Sequence, residues 1–568
     1  MKTVNDLKKM LRKDINGNKK SSFQSLASDV YEYYNGITVG FECINYRFPE
    51  IMNMYINLPI KLLKIDIMQM DEISVFVEDY ILREISPVIN EFGKSLYHES
   101  KEIRAQGDIK MQSVDSKIVR RTGVLYHRGG FVLKMWCRFP LMGVSTISGK
   151  NSCRLITELL KILDAWIENF DVDRLYEKAN VYRNQCEIRN YLKENGYVCF
   201  IKNGSILPRE KENHMPKRDA IPFKAPSTME HTIPLTSGEV VTGMIIPKGL
   251  TVITGGGYSG KTTMMDAIES GIYHHIEGDG REYVITEETA LKVYAEDGRT
   301  IHNLDMSPFF KQEISGERID DFSTEHASGS VSQAANIIEA VYAGSELLLI
   351  DEDKSATNFM IRDKIMRKII KNEPIVPLTD RIDELTRKMN LAVIMVIGAI
   401  SEYFHYADRI LLIEDYKLYD ISNDIKKTEK ILIEENICNW TINRKIKNAV
   451  GSMENCFFRT IHTENNRKII LDNYTADVMS LTAITTNEQL NSLAFVMEKL
   501  LTKMDKDEIK KDVRFAIEKI FSVDSKNNHE FAMMITRKDR WYEEIRNIDA
   551  ICCMNRMRGV KFCNNLDD

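Results

Sequence analysis

The octapeptide Gly255-Gly256-Gly257-Tyr258-Ser259-Gly260-Lys261-Thr262 constrains this chain most, because the apolar run Leu250-Thr251-Val252-Ile253 leads into it and a helical pattern leaves it. Strand, glycine-rich loop and helix in that order make a phosphate-binding loop. Glycines let backbone N–H groups turn inward on β- and γ-phosphates, Lys261 adds a point charge, and Thr262 offers a hydroxyl to Mg²⁺. The helix predicted from Thr263 to Ile268 points its positive end at the same phosphates. The bland alternative is a glycine-rich turn without a ligand, which the flanking strand and helix disfavour.

A second element completes the chemistry. Glu346-Leu347-Leu348-Leu349-Ile350-Asp351-Glu352 reads as a buried strand ending in two acids. There Asp351 can hold Mg²⁺ through its water shell, and Glu352 can orient or deprotonate an attacking water. An acidic turn after an apolar strand is common alone; beside a phosphate loop it is informative.

The rest of the chain bounds the answer. At 568 residues it exceeds one core. Hydrophobic content of 43% and charged content of 28% are ordinary for a soluble globular protein. The longest strongly apolar stretch, Leu391 to Ile400, is far short of a membrane span, and the basic first twenty residues lack the apolar segment of a signal peptide. The expectation is a cytoplasmic protein with no membrane partner. Ten cysteines without CxxC pairs read as buried thiols rather than as a zinc or disulfide framework. A net charge of −6 argues against wholesale coating of nucleic acid and leaves room for a local basic groove.

Strand-like runs at Val124-Leu125-Tyr126 and Phe131 to Trp136 suggest a mixed α/β amino-terminal domain. Ile156, Leu159, Leu160, Leu163, Trp166, Ile167 and Phe170 recur at helical spacing, and a second helix over Asp173–Glu194 should stop at Asn195-Gly196. Five prolines between Asn203 and Pro234 mark an ordered connecting loop anchored by Ile206, Leu207, Ile221 and Phe223. Amphipathic helices over Leu490–Met504 and Asp507–Val523 dominate the carboxy-terminal part.

Ala327-Ser328-Gly329-Ser330-Val331-Ser332-Gln333 opens a helical run that leads into the acidic strand, with Ser328 twenty-three positions before Asp351. ABC-type ATPases open the equivalent helix with a Ser-Gly-Gly-Gln signature, which caps the γ-phosphate held by the other protomer, and this spacing resembles theirs. Ser355-Ala356-Thr357-Asn358 falls where that superfamily places its dimer-crossing D-loop. Ser328 also reads as an ordinary helix cap, and the two roles are compatible.

The strings Gly278-Asp279-Gly280-Arg281-Glu282, Ala295-Glu296-Asp297-Gly298-Arg299, Ala327 to Ser330, and Asp351-Glu352-Asp353 with Ser355 to Asp363 resemble a narrower family, the predicted ATPases of the ABC class. The likeness covers most of the chain and extends to Gly204–Arg209, Pro222-Phe223 and Asn555–Arg558. It implies an α/β fold: a P-loop NTPase core of ABC type, an amino-terminal mixed α/β domain and a mainly helical carboxy-terminal domain. The expected boundaries are 1–165, 166–440 and 441–568. It implies ATP-Mg²⁺ bound by Gly255, Gly256, Gly257, Tyr258, Ser259, Gly260, Lys261, Thr262 and Thr263. Lys261 and Glu352 would be catalytic, Thr262 and Asp351 metal-binding, and Ser328, Gly329 and Ser330 would reach a partner's ATP in a nucleotide-dependent homodimer.

Two departures stand out. Lys354 replaces the small hydroxyl residue expected after the acidic triplet. The switch histidine expected after the strand Ala392–Ile397 is replaced by Gly398, with His405 too far along, so hydrolysis is expected to be slow or gated by a client. The acidic and basic strings in glycine-containing turns suggest a salt-bridged network. Phe223 and Tyr258 are the candidate adenine shelves.

Basic residues over Lys202–Lys224, the mixed run Arg537–Tyr542, and Arg546, Arg556, Arg558 and Lys561 make single-stranded RNA a candidate client, an association the family resemblance adds to. The leading expectation is therefore an ATP hydrolase closing as a head-to-tail dimer. Its main rival is an ATP-gated binding module for nucleic acid or protein that hydrolyses slowly or not at all. A transporter subunit and a small-molecule kinase fit less well: the first needs a larger coupling subdomain, and the second has no use for Ser328-Gly329 at this spacing.

Overall fold

The computed structural model describes residues 2–98, 107–211, 215–314, 316–425, 440, 444–446, 461–464, 467–502, 512–521 and 540–563. The chain divides into two compact units. Met1–Arg183 joins Val523–Glu544 in the first, and Asn184–Ser522 joins Ile545–Asp568 in the second.

The first unit is built on a seven-stranded sheet. Its path runs Lys2–Thr3, Val30–Glu32, Thr38–Cys43, Ile51–Pro59, Gly130–Arg138, Asp108–Lys110, with Val124–His127 also paired to Gly130–Arg138. Alternating burial along Thr38–Cys43 is the period-2 pattern of a strand with one face in the core. Apolar residues of the long helix Met70–His98 enter that core, and Arg121 is sealed inside it against Asp79, Asp115 and Glu543. The helix expected from Ile156 onward spans Gly149–Glu168 and buries Ile156, Leu159, Leu160 and Leu163.

The second unit carries the motifs on one sheet, whose strands in chain order are β1 (Leu250–Gly255), β2 (Leu291–Val293), β3 (Leu347–Asp351), β4 (Ala392–Ile397), β5 (Arg409–Glu414) and β6 (Lys417–Asp420). They lie in the order β2-β3-β4-β1-β5-β6, parallel except for the β5–β6 hairpin. Strands β3 and β4 are buried at every position, which is why they read as continuous apolar runs: a parallel sheet covered on both faces has no solvent side. Helix α1 (Lys261–Ser270) packs Met264, Met265 and Ile268 against Leu349, Ile394 and Val396. Helix α2 (Gly329–Tyr342) precedes β3.

A four-stranded antiparallel sheet, in the order Glu230–Pro234, Val240–Pro247, Tyr197–Lys202, Val284–Thr286, completes this part of the second unit. Among the described residues after 440, three antiparallel strands, Ile461–Glu464, Lys468–Leu471 and Tyr474–Asp477, accompany helices Asn487–Thr502, Val513–Phe521 and Asn547–Asn555. Residues 503–511 and 522–523 of the two expected amphipathic helices lie outside the described residues. Cys43, Cys137, Cys153, Cys186, Cys199, Cys552 and Cys553 are free thiols.

Candidate active site

Parallel register brings Gly255, Asp351 and Gly398 to one edge of the sheet. Asp351 pairs with Val396, and Thr254 with Ile397, so the carboxyl ends of β1, β3 and β4 are level. Open α/β sheets place their ligands at such an edge.

The loop itself is shaped by two glycines. Gly255 (φ +150) has no room for a side chain, since a Cβ there would stand 2.3 Å from the Ile413 carbonyl oxygen, and Gly260 (φ +107) turns the chain into α1. Gly256 and Gly257 face open space, and the Tyr258 side chain is 99% exposed. The Lys261 ammonium donates to the carbonyls of Gly255 and Gly256 at 2.8 and 2.7 Å, so it is already held over the loop. Ser259 Oγ is buried and makes no hydrogen bond among the described residues.

Two acids stand at the end of β3. Asp351 is 2% exposed, and burial pushes its carboxyl above the ordinary range. Among the described residues the carboxyl's one hydrogen bond is a 3.2 Å contact from the Asp353 N–H. A buried carboxylate so poorly compensated, together with the Thr262 hydroxyl at the start of α1, fits a divalent cation bound to oxygen ligands.

The neighbouring Glu352 is held differently. Its Oε2 accepts the backbone N–H groups of Gly398 at 2.6 Å and Ala399 at 3.0 Å, while Oε1 makes no hydrogen bond among the described residues. The position where a histidine was expected thus supplies backbone amides. The Lys354 ammonium, standing where a small hydroxyl residue was expected, lies over the Tyr294 ring, 4.9 Å from its centroid.

Ser328 is the N-cap residue of α2, yet its side chain makes no capping bond. With Gly329 and Ser330 it lines a cavity of about 720 Å³ shared with Ser355, Ala356, Thr357 and Asn358. No residue of the phosphate loop lines that cavity. Gln333, fully buried one turn into α2, ties the two segments. Its Nε2 donates to Ser355 Oγ at 2.8 Å, and its Oε1 accepts the Ala356 N–H at 2.8 Å.

One contact had no sequence signal, and others bear on the charged strings. Lys292 on β2 pairs with Asp266 (2.8 Å) and Glu269 (2.9 Å) and so fixes α1 behind the loop. Burial alone would lower its pKa, but Glu269 and then Asp266 raise it. Of the charged strings, Asp279 binds Arg209 and His275, and Glu296 binds Arg556, while Arg299 bonds to Asn336 and Glu339 on α2. Burial opposes the ionisation of Glu296, yet Arg556 and then Arg299 bring its pKa down to about 2.

Arg546 and Arg556, read as candidate nucleic-acid contacts, are consumed by internal bonds, Arg546 with Asp549 and the carbonyls of Glu288 and Ala290. Arg537 to Asp539 lie outside the described residues. Phe223, one of the two candidate adenine shelves, packs against the core of the second unit.

Residues 171–446 match the family model ABC_ATPase, a P-loop domain. That stretch belongs to the ABC ATPase family. An uncharacterized protein of Methanocaldococcus jannaschii is 34% identical over 281 residues, which make up 47% of this chain and 61% of that protein. Similar solved structures include an ATP-binding cassette of an ABC transporter in its ADP conformation. It shares 15% identity and a TM-score of 0.25, over 40% of this chain and 93% of that one. Another is cbiO1 from Clostridium perfringens, part of the ABC transporter complex cbiONQ, with 11% identity and a TM-score of 0.22, over 39% of this chain and 87% of that one. No helix among the described residues is long and apolar enough to cross a membrane.

Proposed function

We propose that this protein hydrolyses ATP at sites completed between two copies of the chain. The supporting observation is that Ser328–Ser330 and Ser355–Asn358 line one cavity to which the same chain's phosphate loop contributes nothing. In a head-to-tail pair the partner's loop and nucleotide would fill it, and each copy would do so for the other.

In this reading residues 255–263 cradle the phosphates, with Lys261 neutralising charge that spreads onto the transferring phosphoryl group. Thr262 and Asp351 are the protein groups for Mg²⁺, which would supply further charge neutralisation at the phosphate oxygens. Glu352 is anchored through one oxygen, and the other is available to accept a proton from the attacking water. The Ser328 hydroxyl, unused by its own helix, is offered to the partner's γ-phosphate.

Closure would act on a macromolecular client, and single-stranded RNA is the class that the family resemblance and the basic segments support. Gly398 in place of a histidine favours slow or client-gated turnover, and it also supports the second reading, an ATP-gated binding module without hydrolysis.

Mixing two inactive variants, Lys261→Ala and Ser328→Arg, tests the shared site. Each mixed dimer then holds one intact phosphate loop facing one intact Ser328 loop. An equal mixture should recover about a quarter of wild-type turnover, since half the dimers are mixed and one of their two sites is whole. No recovery would refute a site built from two copies. A wild type that binds ATP but never turns it over, with or without RNA, would leave the binding-module reading.

A further inference from the structure

The β5–β6 hairpin presents an aromatic ring to the phosphate loop. Glu414 pairs with Lys417, so only Asp415 and Tyr416 form the turn, and both are left-handed (φ +49 and +60). That two-residue turn suits Asn-Gly, because a Cβ crowds the backbone at positive φ, Gly has none, and the short polar side chain of Asn offsets the strain by local hydrogen bonding. Tyrosine is a costly choice there, and packing does not repay it: the side chain remains 65% exposed and makes no hydrogen bond among the described residues.

The ring does lie beside the loop. A Cβ built on Gly260, the residue before Lys261, would stand 3.4 Å from Tyr416 Cδ1. Strained, exposed residues that are held in place cluster at ligand sites. The ribose and α-phosphate of a nucleotide whose β- and γ-phosphates occupy residues 255–262 let its base reach a ring beside the loop, and the face of a purine packs on an aromatic or apolar surface. Phe223 is partly buried and packs against the core, and Tyr258 projects into solvent.

We propose that Tyr416 is the stacking shelf for the aromatic base of the bound nucleotide. This rests on the nucleotide reading of the phosphate loop and adds the group that recognises the nucleoside part. The left-handed turn fixes the ring beside Gly260, and the strain is retained because the ring there serves the ligand.

The test uses the full chain and compares Tyr416→Gly, which removes the ring and relaxes the turn, with Tyr416→Phe, which keeps the ring. Binding of ATP and of inorganic tripolyphosphate is measured by calorimetry, and melting is followed without nucleotide. Stacking of a base on an aromatic ring is worth about tenfold or more. Tyr416→Gly should therefore weaken ATP at least about tenfold, leave tripolyphosphate unchanged, and melt no lower than wild type. Tyr416→Phe should bind ATP as wild type does.

Equal ATP affinity in the wild type and Tyr416→Gly would overturn the shelf while leaving the phosphate-loop reading intact. A lower melting temperature for Tyr416→Gly with unchanged ATP binding would make the ring a packing residue. If the wild type binds neither ATP nor tripolyphosphate, the shelf and the reading beneath it fall together.

Discussion

Replacing Glu352 by Gln separates chemistry from architecture at this site. The carboxylate oxygen Oε2 accepts two backbone N–H groups, from Gly398 and Ala399. An amide oxygen can accept both, so the loss is the charge-assisted part of each bond, about 1 kcal/mol per bond. Gly398 and Ala399 are exposed residues at the end of β4, so water compensates part of that loss. The expected cost to stability is therefore below about 2 kcal/mol.

Turnover should respond far more. A positioned general base contributes about 10²–10⁴-fold, equivalent to about 3–5 kcal/mol of barrier, and an amide cannot take the water's proton. Residues 255–263 are untouched, so ATP affinity should stay within about threefold of wild type, below 1 kcal/mol. The assay is single-turnover hydrolysis with saturating ATP, alongside nucleotide titration and thermal melting of the same preparations. A Gln variant retaining more than about a tenth of the wild-type rate would refute the assignment of Glu352 as the group that handles water. A matched fall in rate and ATP affinity would mean instead that the anchoring at Gly398 shapes the phosphate loop.

Two further outcomes follow from buried charge. Asp351 has its folded pKa raised by burial, so its ionised form opposes folding, and its contribution to stability declines as pH rises through that pKa. Asp351→Asn should raise the nucleotide-free melting temperature at neutral pH yet abolish the gain in ATP affinity from Mg²⁺; an unchanged Mg²⁺ effect would remove Asp351 from the metal site. Glu296 has the opposite sign. Its folded pKa of about 2 lies below the ordinary 4.5, so the stabilisation it gives is present above pH 4.5 and lost as pH falls toward 2. That displacement is worth at most about 3 kcal/mol. Urea unfolding of Glu296→Gln should show lower stability at neutral pH and a flatter decline between pH 4.5 and 2; parallel curves for the variant and wild type would refute the pairing with Arg556 and Arg299.

The phosphate loop was legible because its physics is local. Glycines at fixed positions, a lysine and a hydroxyl, each at a set distance from the end of an apolar strand, leave few alternatives for a backbone that must turn tightly around an anion. The acidic end of β3 and the position of Ser328 before α2 were legible for the same reason. The helices Gly149–Glu168 and Val172–Glu194 followed from apolar spacing and from a stop at Asn195-Gly196.

The remainder was set by contacts that carry no residue-type signal. Sequence showed that Gly398 stands where a histidine was expected, but only the fold shows its N–H and that of Ala399 holding Glu352, because every residue but proline carries that donor. Arg546 and Arg556 look like open positive charge in a string of letters. Bonds from Arg546 to the Glu288 and Ala290 carbonyls and from Arg556 to Glu296 decide otherwise, and these form only by packing at long sequence separation. Gln333 reaching Ser355, Lys292 pinning α1, and Tyr416 standing beside Gly260 are of the same kind. Sequence alone thus determined which chemical groups the site contains. Tertiary structure decided which of their atoms are anchored and which remain available, because hydrogen-bond partners and solvent access are fixed only when distant segments meet.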